Sequence, residues 1–379
     1  MQDCSVKTSV YFGTGALDRL ADISGKRVLI VTDGFMASSG TADKVASRLT
    51  DCTTKVYDKV VPEPPIDVVA QGVKALEELD AEVIVALGGG SSLDAAKAIR
   101  AIYRDASGAS EQLPLIAIPT TSGTGSEVTD YAVITNPARG VKYPLANSDL
   151  AATEAILDPE LTESVPPAIT ADTGLDALTH AIEAYVSTDA SDFTDAWAEK
   201  AAQLVFEYLP RCHKDGHDLE AREKMSNAAC LAGLAFNRAG LGVNHGAAHA
   251  IGARFHLPHG RCCQLLLPHV IAFNANLESA RNGQYSRAAL KYAHLAKVLG
   301  FSAATVRLGA SSLAREVDRL CRSVGEPATL KQCGVDVAEA KAQLPELAKL
   351  AVADPTTATN PRPVNETQAS ALLEKLLVR

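Results

Sequence analysis

The chain has 379 residues, 47% of them apolar and 21% charged, with a formal net charge of −9. That length suits two domains of an ordinary globular protein, and an acidic balance without a basic patch excludes a nucleic-acid-binding role. No apolar run approaches the roughly 20 residues of a membrane-spanning helix, and the first residues, MQDCSVKTSVYFG, lack the layout of a secretory signal.

From about Lys26, short apolar runs alternate with helix-length amphipathic segments. Arg27–Thr32 (RVLIVT) predicts a buried strand, Thr41–Thr50 a helix, Thr54–Tyr57 a strand and Ile66–Leu79 a helix. Glu82–Leu87 (EVIVAL) and Leu115–Ile118 follow as strands, with a helix at Leu93–Tyr103 between them. Strands alternating with helices imply crossover units and a mainly parallel, Rossmann-like sheet. Ligands of such sheets bind outside the carboxyl ends of the strands, so the loops there carry the chemistry.

Three of these loops stand out. Gly88-Gly89-Gly90-Ser91-Ser92 follows the EVIVAL strand, where glycines let a pyrophosphate approach the backbone and a helix start offers free N–H groups. Ser91 or Ser92 at this place also suits a plain helix cap. Pro119–Glu127 (PTTSGTGSE) is dense in hydroxyls and glycines, as expected of a loop wrapping a sugar, phosphate or amide. Asp33, ending the first strand, is placed to accept bonds from ribose hydroxyls and to repel a 2′-phosphate, favouring NAD over NADP. An Asp-Gly pair is equally the common punctuation after a strand.

Strand signals stop near Ala155–Asp158, and Pro159 and Pro166-Pro167 mark a junction. We therefore expect an α/β domain over 1–160 and an all-α domain over 161–379. The helices expected there cover Thr170–Val186, Ser191–Tyr208, Leu219–Phe236, His245–Phe255, Gln264–Asn276 and Arg287–Leu299, with one more after Asn360-Pro361-Arg362-Pro363. Asp176 and His180, four residues apart, share a helix face. Leu178, Ala181 and Ile182 around them suggest burial, and a buried carboxylate needs a cation.

Gly240–Gly260, GLGVNHGAAHAIGARFHLPHG, holds four of the nine histidines between small residues that leave room for an ion. His245 and His249 lie one turn apart, and Pro258 ends that helix so that His259 opens the next. Asp176, His180, His245 and His259 then offer one carboxylate and three imidazoles, a set for Fe²⁺ or Zn²⁺. Cys262 and Cys263 could compete but read as core, and His256 and His269 as structural or surface residues. His249, beside the ion but outside its shell, is the candidate proton relay. The eight scattered cysteines, without a CxxC pair, read as free thiols of a reducing cytoplasm.

In order, GGGSSLDAAK, PTTSGTGSEVT, DALTHAIEAY and NHGAAHAIG…HLPHG resemble the iron-dependent (group III) alcohol dehydrogenases, over nearly the whole chain. Within that family the stretch ASDFTDAWAEKAAQLVFEYLP most resembles the propanol dehydrogenases of propanediol-utilisation microcompartments, with their ethanolamine-utilisation cousins a close second. The resemblance implies metal ligands at Asp176, His180, His245 and His259. It implies NAD(H) contacts at Asp33, Gly89, Gly90, Ser91, Thr120, Thr121, Thr124 and Lys142, with Asp94 beside the glycine loop. Substrate-pocket positions fall on Tyr131, Phe236 and Thr356, and the cofactor cleft between the domains. Glu63 departs from the Asn common in relatives.

The implied reaction is reduction of propionaldehyde, or a similar short aldehyde, by NADH at Fe²⁺ or Zn²⁺. A homo-oligomer such as a dimer is implied, as are a cytoplasmic or microcompartment location and shell or enzyme partners. The main rival is a lyase of the dehydroquinate synthase type, which should show more Lys and Arg near the metal helices. A maleylacetate-type reductase, which would need no metal, and a non-catalytic microcompartment component are further alternatives.

Overall fold

A computed structural model describes residues 4–108, 111–137, 141–280 and 283–377, the side chains of residues 141 and 142 excepted. The chain divides into two compact units, Met1–Val165 with His217–Gly233, and Pro166–Gly216 with Leu234–Arg379.

In the first unit, strands β1 (Ser9–Phe12), β2 (Arg27–Asp33), β3 (Thr53–Val60), β4 (Val83–Gly88) and β5 (Leu115–Pro119) alternate with helices. Strands β6 (Tyr131–Asn136), β7 (Val141–Ala146) and β8 (Glu154–Leu157) follow. The first-unit helices are α1 (Gly34–Ser38), α2 (Thr41–Ala46), α3 (Ile66–Leu79) and α4 (Gly90–Ser107). Six strands make a parallel sheet in the order β1-β8-β5-β4-β2-β3. The central strand β4, VIVALG, is buried throughout, as a strand covered on both faces must be.

The chain leaves β2 for β3 on one side and returns to β4 on the other. That reversal makes a crevice at the carboxyl ends of β2 and β4, where ligands of such sheets bind. The apolar run Tyr131–Ile134 is half of an antiparallel pair, β6 with β7, outside the main sheet. Exposed Tyr131 and Val133 alternate with buried Ala132 and Ile134, as in a ribbon with one face covered. The helix expected at Leu93 begins three residues earlier, at Gly90, because the glycine loop itself winds into its first turn.

The second unit is helical: α5 (Pro167–Val186), α6 (Asp192–Lys214), the end of α7 (Leu219–Ala239), α8 (Val243–Phe255) and α9 (His259–Ala275), then α10 (Arg287–Val298), α11 (Val306–Ser323), α12 (Val337–Ala353) and α13 (Glu366–Glu374). A single cut at residue 160 differs from these units chiefly in α7, most of which groups with the sheet. The reason is a close approach: a Cβ on Gly125 would stand 2.6 Å from the Gly233 Cα, and the Ser122 and Ser226 hydroxyls are 3.0 Å apart. Among the described residues no helix is long and apolar enough to cross a membrane, and all eight cysteines are free thiols.

Candidate active site

Three loops of the first unit meet at the β2–β4 crevice. Gly88 ends β4 at φ 141°, and a Cβ there would collide with the Ser92 Oγ at 2.5 Å and reach the Asp33 Oδ2 at 3.2 Å. Only glycine fits this backbone and this crowding. Gly89 precedes α4 with Thr121 3.6 Å from its missing Cβ, and a Cβ on Gly90 would press on the Thr124 methyl at 2.9 Å. The Thr120 amide donates to the Gly88 carbonyl at 3.0 Å, tying the hydroxyl-rich loop to the glycine loop.

Asp33 is already engaged here. Its Oδ1 accepts from the amides of Phe35 (2.9 Å) and Met36 (3.0 Å), capping α1, and its Oδ2 lies 3.5 Å from the Ser92 hydroxyl. Ser91 Oγ accepts from the Glu63 amide at 3.3 Å, and Glu63 holds the left-handed φ of 54°. Asp94 is a scaffold group: its oxygens accept from the Ser126 hydroxyl (2.7 Å) and the Val133 amide (3.0 Å).

Sequence reasoning passed over Lys97, one turn further along α4. Its ammonium is fully buried and donates to the Ser126 Oγ, Thr129 Oγ1, and the carbonyls of Thr129 and Tyr131 at 2.8–3.1 Å. Burial pulls it down to about 8, against the pull of Asp94 and Glu127. Tyr131 itself opens β6 with 43% of its surface exposed. The backbone of Lys142 pairs with Thr135 in β7, and its side chain lies outside the described residues.

In the second unit Asp176 and His180 lie on α5, His245 on α8 and His259 at the first position of α9. The donor atoms of these four all lie within 4.8 Å of one another. Asp176 Oδ1 is buried without a hydrogen-bond partner, facing the Nε2 atoms of His259 (3.5 Å), His245 (3.8 Å) and His180 (3.9 Å). These separations are too long for hydrogen bonds but fall in the ~3–4.4 Å between neighbouring ligand atoms of an ion bound at about 2.0–2.2 Å.

Electrostatics agree with a cation at this point. Burial lifts Asp176 to about 8, and burial with the nearby His249 lowers His245 to about 3, leaving a neutral imidazole fit to ligate. One carboxylate with three imidazoles fits a divalent iron or zinc ion.

The glycines near these histidines serve a purpose different from the expected room for an ion. A Cβ on Gly260 would meet the Asp172 carbonyl oxygen at 2.0 Å, one on Gly246 the Thr357 Oγ1 at 2.3 Å, and one on Gly242 the Glu183 Oε1 at 2.7 Å. Each glycine lets α8 or α9 approach neighbouring backbone or a buried carboxylate.

Around the cluster, Phe236 stacks on His180 with ring centroids 4.4 Å apart, and His180 stacks on His245 at 4.6 Å. His249 lies against His259, ring centroids 5.3 Å apart, with its Nδ1 2.9 Å from Asp354 Oδ2. Thr356 donates through both hydroxyl (2.6 Å) and amide (2.9 Å) to the other oxygen of Asp354. Thr356 thus secures the carboxylate that orients His249. The Asp354–His249 pair joins residues 105 positions apart, which no local pattern marks.

Glu183, on the next turns of the Asp176 helix, was also passed over; its Oε2 lies 2.5 Å from His245 Nδ1 and burial lifts it to about 8. Cys263, read as core, is buried as expected, yet its Sγ lies 3.5 Å from His259 Nε2 and 3.8 Å from His245 Nε2. His256 ends α8 in the left-handed conformation, φ 54°, a structural post.

Comparison with known proteins bears on both units. The model of iron-containing alcohol dehydrogenases matches residues 7–159, and that of the Fe-containing alcohol dehydrogenase family, C-terminal, matches 170–377. The chain is 45% identical to the 1-propanol dehydrogenase PduQ of Salmonella typhimurium over 100% of both chains. It is 36% identical to the NADPH-dependent butanol dehydrogenase of Clostridium saccharobutylicum, over 99% of this chain and 97% of that one. Among solved structures, a 1,3-propanediol oxidoreductase matches with a TM-score of 0.90 at 32% identity, over 99% of this chain and 100% of the other. The sulfoacetaldehyde reductase of Bifidobacterium kashiwanohense, solved in complex with NAD+, matches with a TM-score of 0.87 at 30% identity, over 100% and 99%.

Proposed function

This chain belongs to the iron-containing alcohol dehydrogenase family and is a metal-dependent oxidoreductase of alcohols; we propose that it uses Fe²⁺ and NAD(H) to reduce propionaldehyde to 1-propanol. The observation that carries the metal chemistry is the buried, unpartnered Asp176 Oδ1 facing three imidazole nitrogens. Full-length identity of 45% to a 1-propanol dehydrogenase supports the choice of substrate.

When bound, the ion held by Asp176, His180, His245 and His259 supplies Lewis acidity and NADH supplies hydride, for RCHO + NADH + H⁺ → RCH₂OH + NAD⁺. Gly88–Gly90, the start of α4 and Thr120–Thr124 would cradle the cofactor's phosphates, with Asp33 facing its ribose. Phe236 would offer an apolar wall to a short aliphatic chain. His249 would deliver the proton from its Nε2, since Asp354 accepts at Nδ1 and fixes the ring.

The test is anaerobic purification with Fe²⁺ or Zn²⁺, followed by assay of propionaldehyde, acetaldehyde and lactaldehyde with NADH and NADPH. Fastest turnover is expected with Fe²⁺, NADH and propionaldehyde; no turnover in any pairing would overturn the reading. A homodimer, encapsulated in a bacterial microcompartment with shell or enzyme partners, belongs to the same proposal. Sedimentation velocity and fractionation of purified compartments test those two points, a monomer or exclusion from the compartments refuting them.

A further inference from the structure

We propose that Glu183 is a positioning residue of the metal centre: it holds His245 as the tautomer that presents Nε2 to the ion. The inference rests on the metal-binding reading of the four-ligand cluster and deepens it.

Glu183 lies seven residues, close to two turns, beyond Asp176 on α5, and its side chain is 3% exposed. Its Oε1 accepts from the Asn244 amide at 2.8 Å, while its Oε2 accepts from the His245 amide at 3.3 Å and meets His245 Nδ1 at 2.5 Å. The Gly242 amide also donates to this carboxylate. One side chain therefore caps the start of α8 and orients the ligand that α8 carries. The approach requires glycine at 242, where a Cβ would stand 2.7 Å from Glu183 Oε1.

A carboxylate at Nδ1 accepts a hydrogen bond from the N–H there, which leaves the Nε2 lone pair for the ion.

Glu183→Gln keeps the shape but loses the charge, and its amide puts an N–H₂ either against the Asn244 amide or against His245 Nδ1. Metal-stripped full-length protein is titrated with Co²⁺ against a competing chelator at a temperature where circular dichroism shows both forms folded. The expected result is Co²⁺ binding weakened about 10–100-fold, with an altered visible Co²⁺ spectrum. In a His245→Asn background the same substitution is expected to add no further loss.

An unchanged dissociation constant, or an equal loss in both backgrounds, would reduce Glu183 to a helix cap and overturn the inference while the metal reading stands. Wild-type protein that binds no Co²⁺ would overturn both. Should Glu183→Gln not fold, the Zn²⁺-loaded wild type with ¹⁵N-histidine decides. A downfield Nδ1–H resonance that disappears in His245→Asn supports the inference, and its absence overturns it.

Discussion

Gly260 packs against Asp172 so closely that a Cβ at 260 would stand 2.0 Å from the Asp172 carbonyl oxygen. This contact sets the spacing of α5 and α9 one residue from His259 and one turn from Asp176. In an ordinary helix, Gly→Ala stabilises by about 1 kcal/mol. Here Gly260→Ala should do the reverse, costing about 1–3 kcal/mol by overpacking, and should lower metal content by parting His259 from Asp176. Calorimetry of the stripped protein and metal analysis check both; an unchanged or raised melting temperature would refute the packing argument.

His259→Ala removes a proposed ligand that is 41% exposed. Metal content and activity should fall together, with the stripped protein melting near the wild-type temperature. Normal metal content in the variant would remove His259 from the ligand set.

Asp354→Asn tests the orientation of His249. The amide keeps the Thr356 contacts in part but no longer offers a charged acceptor at His249 Nδ1. We expect kcat for aldehyde reduction to fall at least about tenfold, within the range of general acid–base contributions, with metal content unchanged. A variant with normal kcat would take His249 and Asp354 out of the proton path.

Asp33 both caps α1 and carries charge, and the two roles separate in Asp33→Ser. Serine is also a good N-cap, so stability should hardly change while discrimination against NADPH relaxes. The ratio of kcat/KM values for NADH and NADPH reads this. If the ratio stays at the wild-type value, Asp33 is a cap alone.

Lys97 gives the pH dependence. Its folded value, about 8, lies below the ordinary 10.5, so between these values the unfolded chain binds more protons and stability rises with pH. The rise is on the order of 3 kcal/mol for a shift of this size. Lys97→Met should abolish that rise, and should also destabilise the protein at pH 7 because Ser126, Thr129 and Tyr131 lose their donor. Urea unfolding of both proteins from pH 8 to 10.5 measures the difference; parallel curves would contradict the assignment. Glu127, pushed up to about 7 by burial, is already ionised over most of that window.

Much of the first unit was legible because its signals are local. EVIVAL reads as a strand from composition alone, within one residue of the observed Val83–Gly88, and Ile66–Leu79 was bounded to the residue by its own amphipathic pattern. The ribbon of β6 and β7 was missed because pairing between strands leaves only a weak mark on either one. The start of α4 was misplaced because consecutive glycines oppose helix propensity, and their conformation is imposed by Thr124 and Ser92 from neighbouring turns.

The same division holds at the metal centre. By itself the sequence singled out the four residues whose donor atoms the fold brings within 4.8 Å of one another, since i,i+4 spacing on α5 and a proline before α9 constrain where Asp176, His180, His245 and His259 lie. Only the tertiary structure decided what stands behind them: Glu183 on His245, Asp354 on His249, Cys263 beside two ligands, and glycines that bring helices together instead of lodging an ion. Apart from Cys263 and His259, one turn apart on α9, those relationships join residues 18 to 111 positions apart, and helical periodicity reaches only a few turns. Contacts of that range follow from how α5, α8, α9 and the Asp354 turn pack, which no single segment encodes.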